Sequence, residues 1–104
     1  MTQNDQYTGD TERPEDLYAK AQIAWGRHAQ LTKAAEEFAE LAAEVNRLQN
    51  EQTTLDRLLE EMADARIMLE QLETDFTKEA VERAYEEKLA QLDDRLPNTG
   101  GESE

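Results

Sequence analysis

Residues 55–76 read LDRLLEEMADARIMLEQLETDF, and the fold turns on this stretch. Its leucines and methionines recur at three- and four-residue intervals, the helical period, and no alternating run suggests a strand. With Leu58 at zero and about 100° per residue, Leu55, Leu59, Met62, Leu69 and Phe76 cover roughly 0° to 100°. This broad arc is expected to face inward. Glu61 falls near −60° and Asp64 near −120°, with Met68 at about −80° and Ile67 at about 180° beyond them. Two carboxylates flanked by apolar side chains on both sides do not make an ordinary solvated face. A second cover over Ile67, Met68 and the edge at Leu72 is expected from another subunit.

Working towards the N-terminus, Phe38, Leu41, Val45 and Leu48 form a helical stripe that predicts a core face. Taking Phe38 as zero, Glu37 and Glu44 lie at about −100° and −120°, and Glu40 at about −160°. The three carboxylates therefore border that stripe. An earlier helix is expected over about Glu15 to Gln30, with Leu17, Ala21, Ala24 and His28 or Leu31 on one side and Thr32 capping the next helix. Asn50 to Thr54 lacks apolar anchors and predicts a short turn with Thr54 as cap. A break near Thr77 leads to a last helix with Ala80, Ala84, Leu89, Leu92 and Leu96, which Pro97 to Gly101 end. The result is an all-α bundle of about four helices, the second and third antiparallel and central. Residues 1–15 read as a disordered leader, 16–96 as the helical domain and 97–104 as a flexible tail.

The 25 Asp and Glu outnumber 11 Lys and Arg, for a net charge of −14. Such a surface repels nucleic acid and anionic membranes. There is no cysteine, so disulfides, thiolate nucleophiles and cysteine metal ligands are excluded. The polar first 15 residues are not a signal peptide, and no run approaches the roughly 18 apolar residues of a spanning helix. A cytoplasmic protein is expected. Its acidic, lysine-poor composition fits a halophilic cytosol, where salt screens self-repulsion. About 80 patterned residues bury only a small core, so a homodimer or homotetramer is the natural way to complete it.

Like charges three or four apart on a helix repel, and partly buried carboxylates cost more still when unpaired. Glu37 and Glu40 on one helix, with Glu61 and Asp64 on its antiparallel neighbour, therefore suggest a hard divalent cation held by oxygen ligands, Mg²⁺ or Mn²⁺.

The order Glu37-x-x-Glu40, twenty residues, Glu61-x-x-Asp64 resembles the signature of the MazG-like all-α nucleoside triphosphate pyrophosphohydrolases. Glu36-Glu37-Phe38-Ala39-Glu40-Leu41 is similar to the first motif and Glu60-Glu61-Met62-Ala63-Asp64 to the second. Residues 65–72, Trp25-Gly26 with Gln30 and Lys33 upstream, and Tyr85 with Lys88 downstream resemble a bacterial and phage subgroup. The likeness spans about Tyr18 to Leu96. It departs at Ala65-Arg66, where the subgroup is apolar and commonly has valine at position 65, and over the polar run Glu73 to Ala80.

What the resemblance implies is hydrolysis of a nucleoside or deoxynucleoside triphosphate to the monophosphate and pyrophosphate. Glu37, Glu40, Glu61 and Asp64 would be the catalytic, metal-holding residues, with Mg²⁺ or Mn²⁺ as cofactor. Such a metal neutralises phosphate oxygens and acidifies a bound water, which Glu40 or Glu61 would orient. Trp25, Gln30, Lys33, Tyr85 and Lys88 would be substrate-binding. Lys33, one turn before Glu37, is placed to meet phosphate oxygens, whereas Trp25 serves equally as a core residue of the first helix. His28 reads as a surface or interface residue. Dimers or dimers of dimers with shared sites are implied as well. The competing class is a non-catalytic helical homo-oligomer that mediates protein–protein contacts. Its coiled-coil pattern is interrupted at Gln52, Thr53 and Thr54.

Overall fold

The computed structural model describes residues 12–97. The expectations for residues 1–11 and 98–104 lie outside that range. The described chain is all-helical, with α1 over Pro14–Gln49, α2 over Leu55–Phe76 and α3 over Lys78–Arg95. Helix α1 starts inside the stretch read as leader. Pro14 opens it, because the first turn needs no N–H there and proline's fixed φ is already helical.

The expected break at residues 30–32 falls earlier. Thr32 lies inside α1 and caps nothing, while Gly26 interrupts the helix with φ 85° and ψ 163°. That backbone region is essentially open to glycine alone. The first and second expected helices are therefore one kinked element, and the described chain has three helices with four straight segments. The kink redirects the first segment. Tyr18 and Gln30 are about 18 Å apart along a straight helix, yet they bond to neighbouring residues of α2. The Tyr18 hydroxyl donates to Glu70 Oε1 at 2.6 Å and Gln71 Nε2 donates to Gln30 Oε1 at 2.7 Å. Trp25, beside the kink, is 67% exposed, which corrects its reading as a core residue.

The turn at residues 50–54 is where the sequence puts it. The Gln52 N–H bonds to the Arg47 carbonyl at 2.7 Å and the Glu51 N–H to the Leu48 carbonyl at 3.0 Å. These two bonds make a Schellman cap, with Glu51 at φ 59° in the position usually given to glycine. Thr54 caps α2 as expected, its Oγ1 accepting from the Arg57 N–H at 3.3 Å.

Two compact units divide the chain, Met1–Thr74 and Asp75–Glu104. In the first, α1 and α2 run antiparallel: Gln30 meets Gln71, Glu37 meets Glu61 and Asp64, and Glu44 meets Arg57. The seam on α1 is Gln30, Ala34, Glu37, Leu41 and Glu44; on α2 it is Leu58, Glu61, Ala65, Met68 and Leu72. All are buried or half-buried. Both sets alternate three- and four-residue steps, the narrow stripe of a paired-helix contact.

This seam overturns the sequence assignment of faces. Of the Phe38, Leu41, Val45, Leu48 stripe only Leu41 lies in the seam: Phe38 is half-buried beside it, Val45 is 49% exposed and Leu48 is exposed too. On α2 the broad arc of Leu55, Leu59, Met62, Leu69 and Phe76 is exposed, and Met68, expected to await an outside cover, is buried against α1. Small Ala34 and Ala65 explain the choice, since they let two backbones approach where bulkier leucines would hold them apart. Leu31, Phe38 and Val45 stand about 60–100° round from the α1 seam, and Leu55, Leu59, Met62 and Leu69 about 70–150° round from the α2 seam, in the same rotational sense. Because the helices are antiparallel, equal rotation carries both sets to one side of the hairpin. Glu40, Arg47 and Asp64 rotate the other way and share the opposite side.

In the second unit, α3 follows directly on Thr77, the expected break. It carries no buried residue. Val81, Tyr85, Leu89, Leu92 and Leu96 are exposed along it.

Candidate metal centre

Antiparallel pairing brings two carboxylates of α2 against one of α1. Glu37, Glu61 and Asp64 each offer an oxygen such that all three lie within 4.8 Å of one another. This convergence follows from the helical repeat: Glu61 and Asp64 are one turn apart, and Glu37 is opposite them on the seam. Burial is graded, with Glu37 buried, Glu61 half-buried and Asp64 exposed. Such a trio can hold a metal ion.

The charges around it are only partly met. Lys33 Nζ lies 3.0 Å from Glu37 Oε2, one turn along α1. This contact raises the Lys33 ammonium's pKa above its ordinary value, chiefly through the hydrogen bond to Glu37 and the attraction of that carboxylate. Glu37 Oε1 and Glu61 Oε1 are buried with no hydrogen-bond partner. Burial pushes the Glu61 carboxyl up, and the nearby charges of Glu40, Asp64 and Glu37 add to the shift. Orphaned buried carboxylate oxygens are costly. Hard oxygen donors converging on one point suit a divalent cation of the Mg²⁺, Ca²⁺ or Mn²⁺ kind.

Glu40, expected as the fourth ligand, stands outside the trio. It is exposed, and with Glu61 it lines an adjoining cavity of about 250 Å³ whose other walls are Ala43, Glu44, Arg47 and Arg57. Glu44 is 2% exposed. Its Oε2 accepts from Arg47 Nη1 at 2.7 Å and from Arg57 Nη2 at 3.4 Å. The Thr53 hydroxyl and the two guanidiniums hold the Glu44 carboxyl below its ordinary value against the opposing effect of burial.

Of the residues expected to bind substrate, Trp25, Gln30 and Lys33 belong to the first unit. Lys33 touches the trio through Glu37. Gln30 is buried and its Oε1 accepts from Gln71 in the seam, so its amide oxygen is already committed. Trp25 is exposed at the kink, and His28 is exposed as expected. Tyr85 and Lys88 belong to α3, where Lys88 Nζ donates to Gln91 Oε1 at 3.4 Å. Sequence reasoning missed Arg47 and Arg57 and read Glu44 only as part of an acidic stripe. A signal was available: Glu44 follows Glu37 by one heptad, which places it on the same seam, and Arg57 precedes Glu61 by one helical turn.

No protein-family model, curated protein or solved structure matches this chain.

Proposed function

We propose that this protein is a MazG-like, Mg²⁺-dependent enzyme that hydrolyses nucleoside or deoxynucleoside triphosphates to the monophosphate and pyrophosphate. One observation carries the reading. Three carboxylates from two helices meet within 4.8 Å, and Glu37 and Glu61 each present a buried oxygen with no partner. A protein without a cation at that point would keep mutual repulsion and desolvation together in the α1–α2 seam.

A bound Mg²⁺ supplies Lewis-acid neutralisation of phosphate oxygens and a more acidic water. The chain's own groups do the rest. Glu37, Glu61 and Asp64 would hold the cation, and the Lys33 ammonium, beside Glu37, would meet a phosphate oxygen. Glu40, which lines the adjoining cavity with Glu61, would accept a proton from the water that attacks the α-phosphorus. As that oxygen bonds to phosphorus, the bond to the bridging oxygen breaks and pyrophosphate leaves. Positive groups near the site are required, because a chain of charge −14 otherwise repels a polyanion.

Assembly belongs to the same reading. The exposed apolar side of the hairpin gives a second copy a surface to cover, so two hairpins form a four-helix unit and the carboxylate sides face outward. Large exposed apolar patches mark partner surfaces. The same apolar side favours one rival reading, a helical homo-oligomer that mediates protein contacts without catalysis.

Nucleotides incubated with Mg²⁺ or Mn²⁺, scored for pyrophosphate against orthophosphate, separate the two. The enzyme reading expects pyrophosphate release that Asp64→Asn abolishes with helical content and oligomeric state intact. No release from any nucleotide, by a protein that still assembles, supports the rival.

A further inference from the structure

The cavity beside the carboxylate trio is walled by two arginines that have more donors than their partner can use. Glu44 Oε2 takes one N–H from Arg47 and one from Arg57, whereas a guanidinium carries five. The Glu44 side chain is 3% exposed, and those of Arg47 and Arg57 are 49% and 59% exposed. The carboxylate is thus buried behind the pair, and the guanidiniums reach out from it into the cavity. The Thr53 hydroxyl and the two guanidiniums hold the Glu44 carboxyl below its ordinary value against the effect of burial, so it stays charged behind the pair.

Two guanidiniums held by one buried carboxylate have an excess of positive charge in a chain that is otherwise strongly acidic. Arginine's planar fork matches phosphate oxygens two at a time. Fixing the forks in advance reduces the ordering cost of binding. The cavity, about 250 Å³, falls short of the roughly 300–1,000 Å³ of a whole-ligand pocket. It suits a phosphate segment of a larger molecule. Glu61 joins the two features, as a member of the trio and a wall of the cavity.

We propose that Arg47 and Arg57, oriented by Glu44, form a phosphate subsite that takes one end of a di- or triphosphate chain while the cation on Glu37, Glu61 and Asp64 takes the other. The cation-site half of this statement rests on the function proposed above; the arginine subsite stands on its own geometry. Glu44 is a positioning residue. Glu40 and Glu61 also line the cavity and repel an anion; a cation held by Glu61 and its two partners would reduce that repulsion, so cation and polyphosphate bind with positive coupling, each tightening the other by the same factor.

The test is titration calorimetry of the full chain with inorganic pyrophosphate, with and without Mn²⁺, alongside Mn²⁺ binding followed by electron paramagnetic resonance. The expected result is pyrophosphate binding that Mn²⁺ strengthens. Arg57→Gln and Arg47→Gln each weaken it at least tenfold and leave Mn²⁺ affinity within about twofold, as expected for lost charge-assisted hydrogen bonds. Arg57→Lys, which keeps a cation beside Glu44 and guards against a folding defect, restores part of the affinity. Glu44→Gln weakens pyrophosphate binding without touching Mn²⁺. Parallel loss of Mn²⁺ and pyrophosphate in the arginine variants would overturn the subsite, because the arginines would then only be bracing the hairpin. So would a wild-type protein that binds Mn²⁺ but not pyrophosphate. Pyrophosphate binding that needs the arginines in a chain that binds no Mn²⁺ would sustain the subsite and overturn the cation reading instead.

Discussion

The Tyr18 hydroxyl donates to the Glu70 carboxylate at 2.6 Å across 52 positions of sequence, tying the segment before the kink to the far part of α2. Burial, the Glu70 hydrogen bond and the Glu70 charge push the Tyr18 phenol up from 10.0 to about 12. Its folded-state pKa is raised, so the folded chain keeps a proton that the unfolded chain releases above about pH 10. Stability from this group is complete below pH 10 and is lost as pH rises through about 12. Denaturant melts between pH 9 and 12 should show a steep alkaline decline in the wild type. Tyr18→Phe should lower stability at neutral pH by about 1 kcal/mol and flatten that decline; an unchanged slope would show that the bond is not formed in solution.

Glu51 occupies the left-handed position of the cap between α1 and α2, at φ 59°. A side chain there costs about 1 kcal/mol that glycine does not incur. Glu51→Gly should therefore raise the denaturation midpoint, contrary to the usual effect of adding glycine. It also removes one charge from a chain at −14. A lower midpoint would mean that the cap is not populated.

Met68 is 5% exposed and Leu59 is 51% exposed, although the sequence pattern assigns them the reverse roles. Met68→Ala should cost about 2–5 kcal/mol of subunit stability. Leu59→Ala should have little effect on a monomer, within about 0.5 kcal/mol, and act on self-association instead. Thermal melts paired with sedimentation across a concentration series distinguish the two effects. Equal stability losses at both sites would reverse the assignment of faces.

The Glu61 carboxyl is raised above 4.5 by burial and by the surrounding carboxylates. Its folded form therefore holds its proton to higher pH than the unfolded chain, and stability falls as pH rises from 4.5 through the raised folded value. A divalent cation binds only the ionised group, so it should repair this loss. Melts with and without Mg²⁺ should coincide near pH 4 and separate progressively towards pH 8, with the cation raising the midpoint. Asp64→Asn should remove most of that separation. Coincident melts at pH 8 in millimolar Mg²⁺ would leave the trio without a metal role.

Periodicity alone determined that the described chain is helical, that it turns at residues 50–54, and that it breaks at Thr77, because each of these rests on local pattern and cap chemistry. It also located Glu37, Glu40, Glu61 and Asp64 as carboxylates that antiparallel pairing would bring together, and Glu37, Glu61 and Asp64 do converge. Gly26 was visible as a glycine inside a helical pattern, but a bend of the backbone there depends on where the preceding segment finds a partner, and that partner is Glu70. Only the tertiary structure decided which face is inside. An isolated helix has apolar residues on both the broad leucine arc and the narrow seam, and local pattern favours the broader arc. Two helices in contact are limited instead by how closely their backbones approach, and Ala34 and Ala65 allow the closest approach. That contact carries Glu37 and Glu44 into the seam, leaves the leucine arc exposed, and brings Arg47 and Arg57 together on one carboxylate from positions ten residues apart.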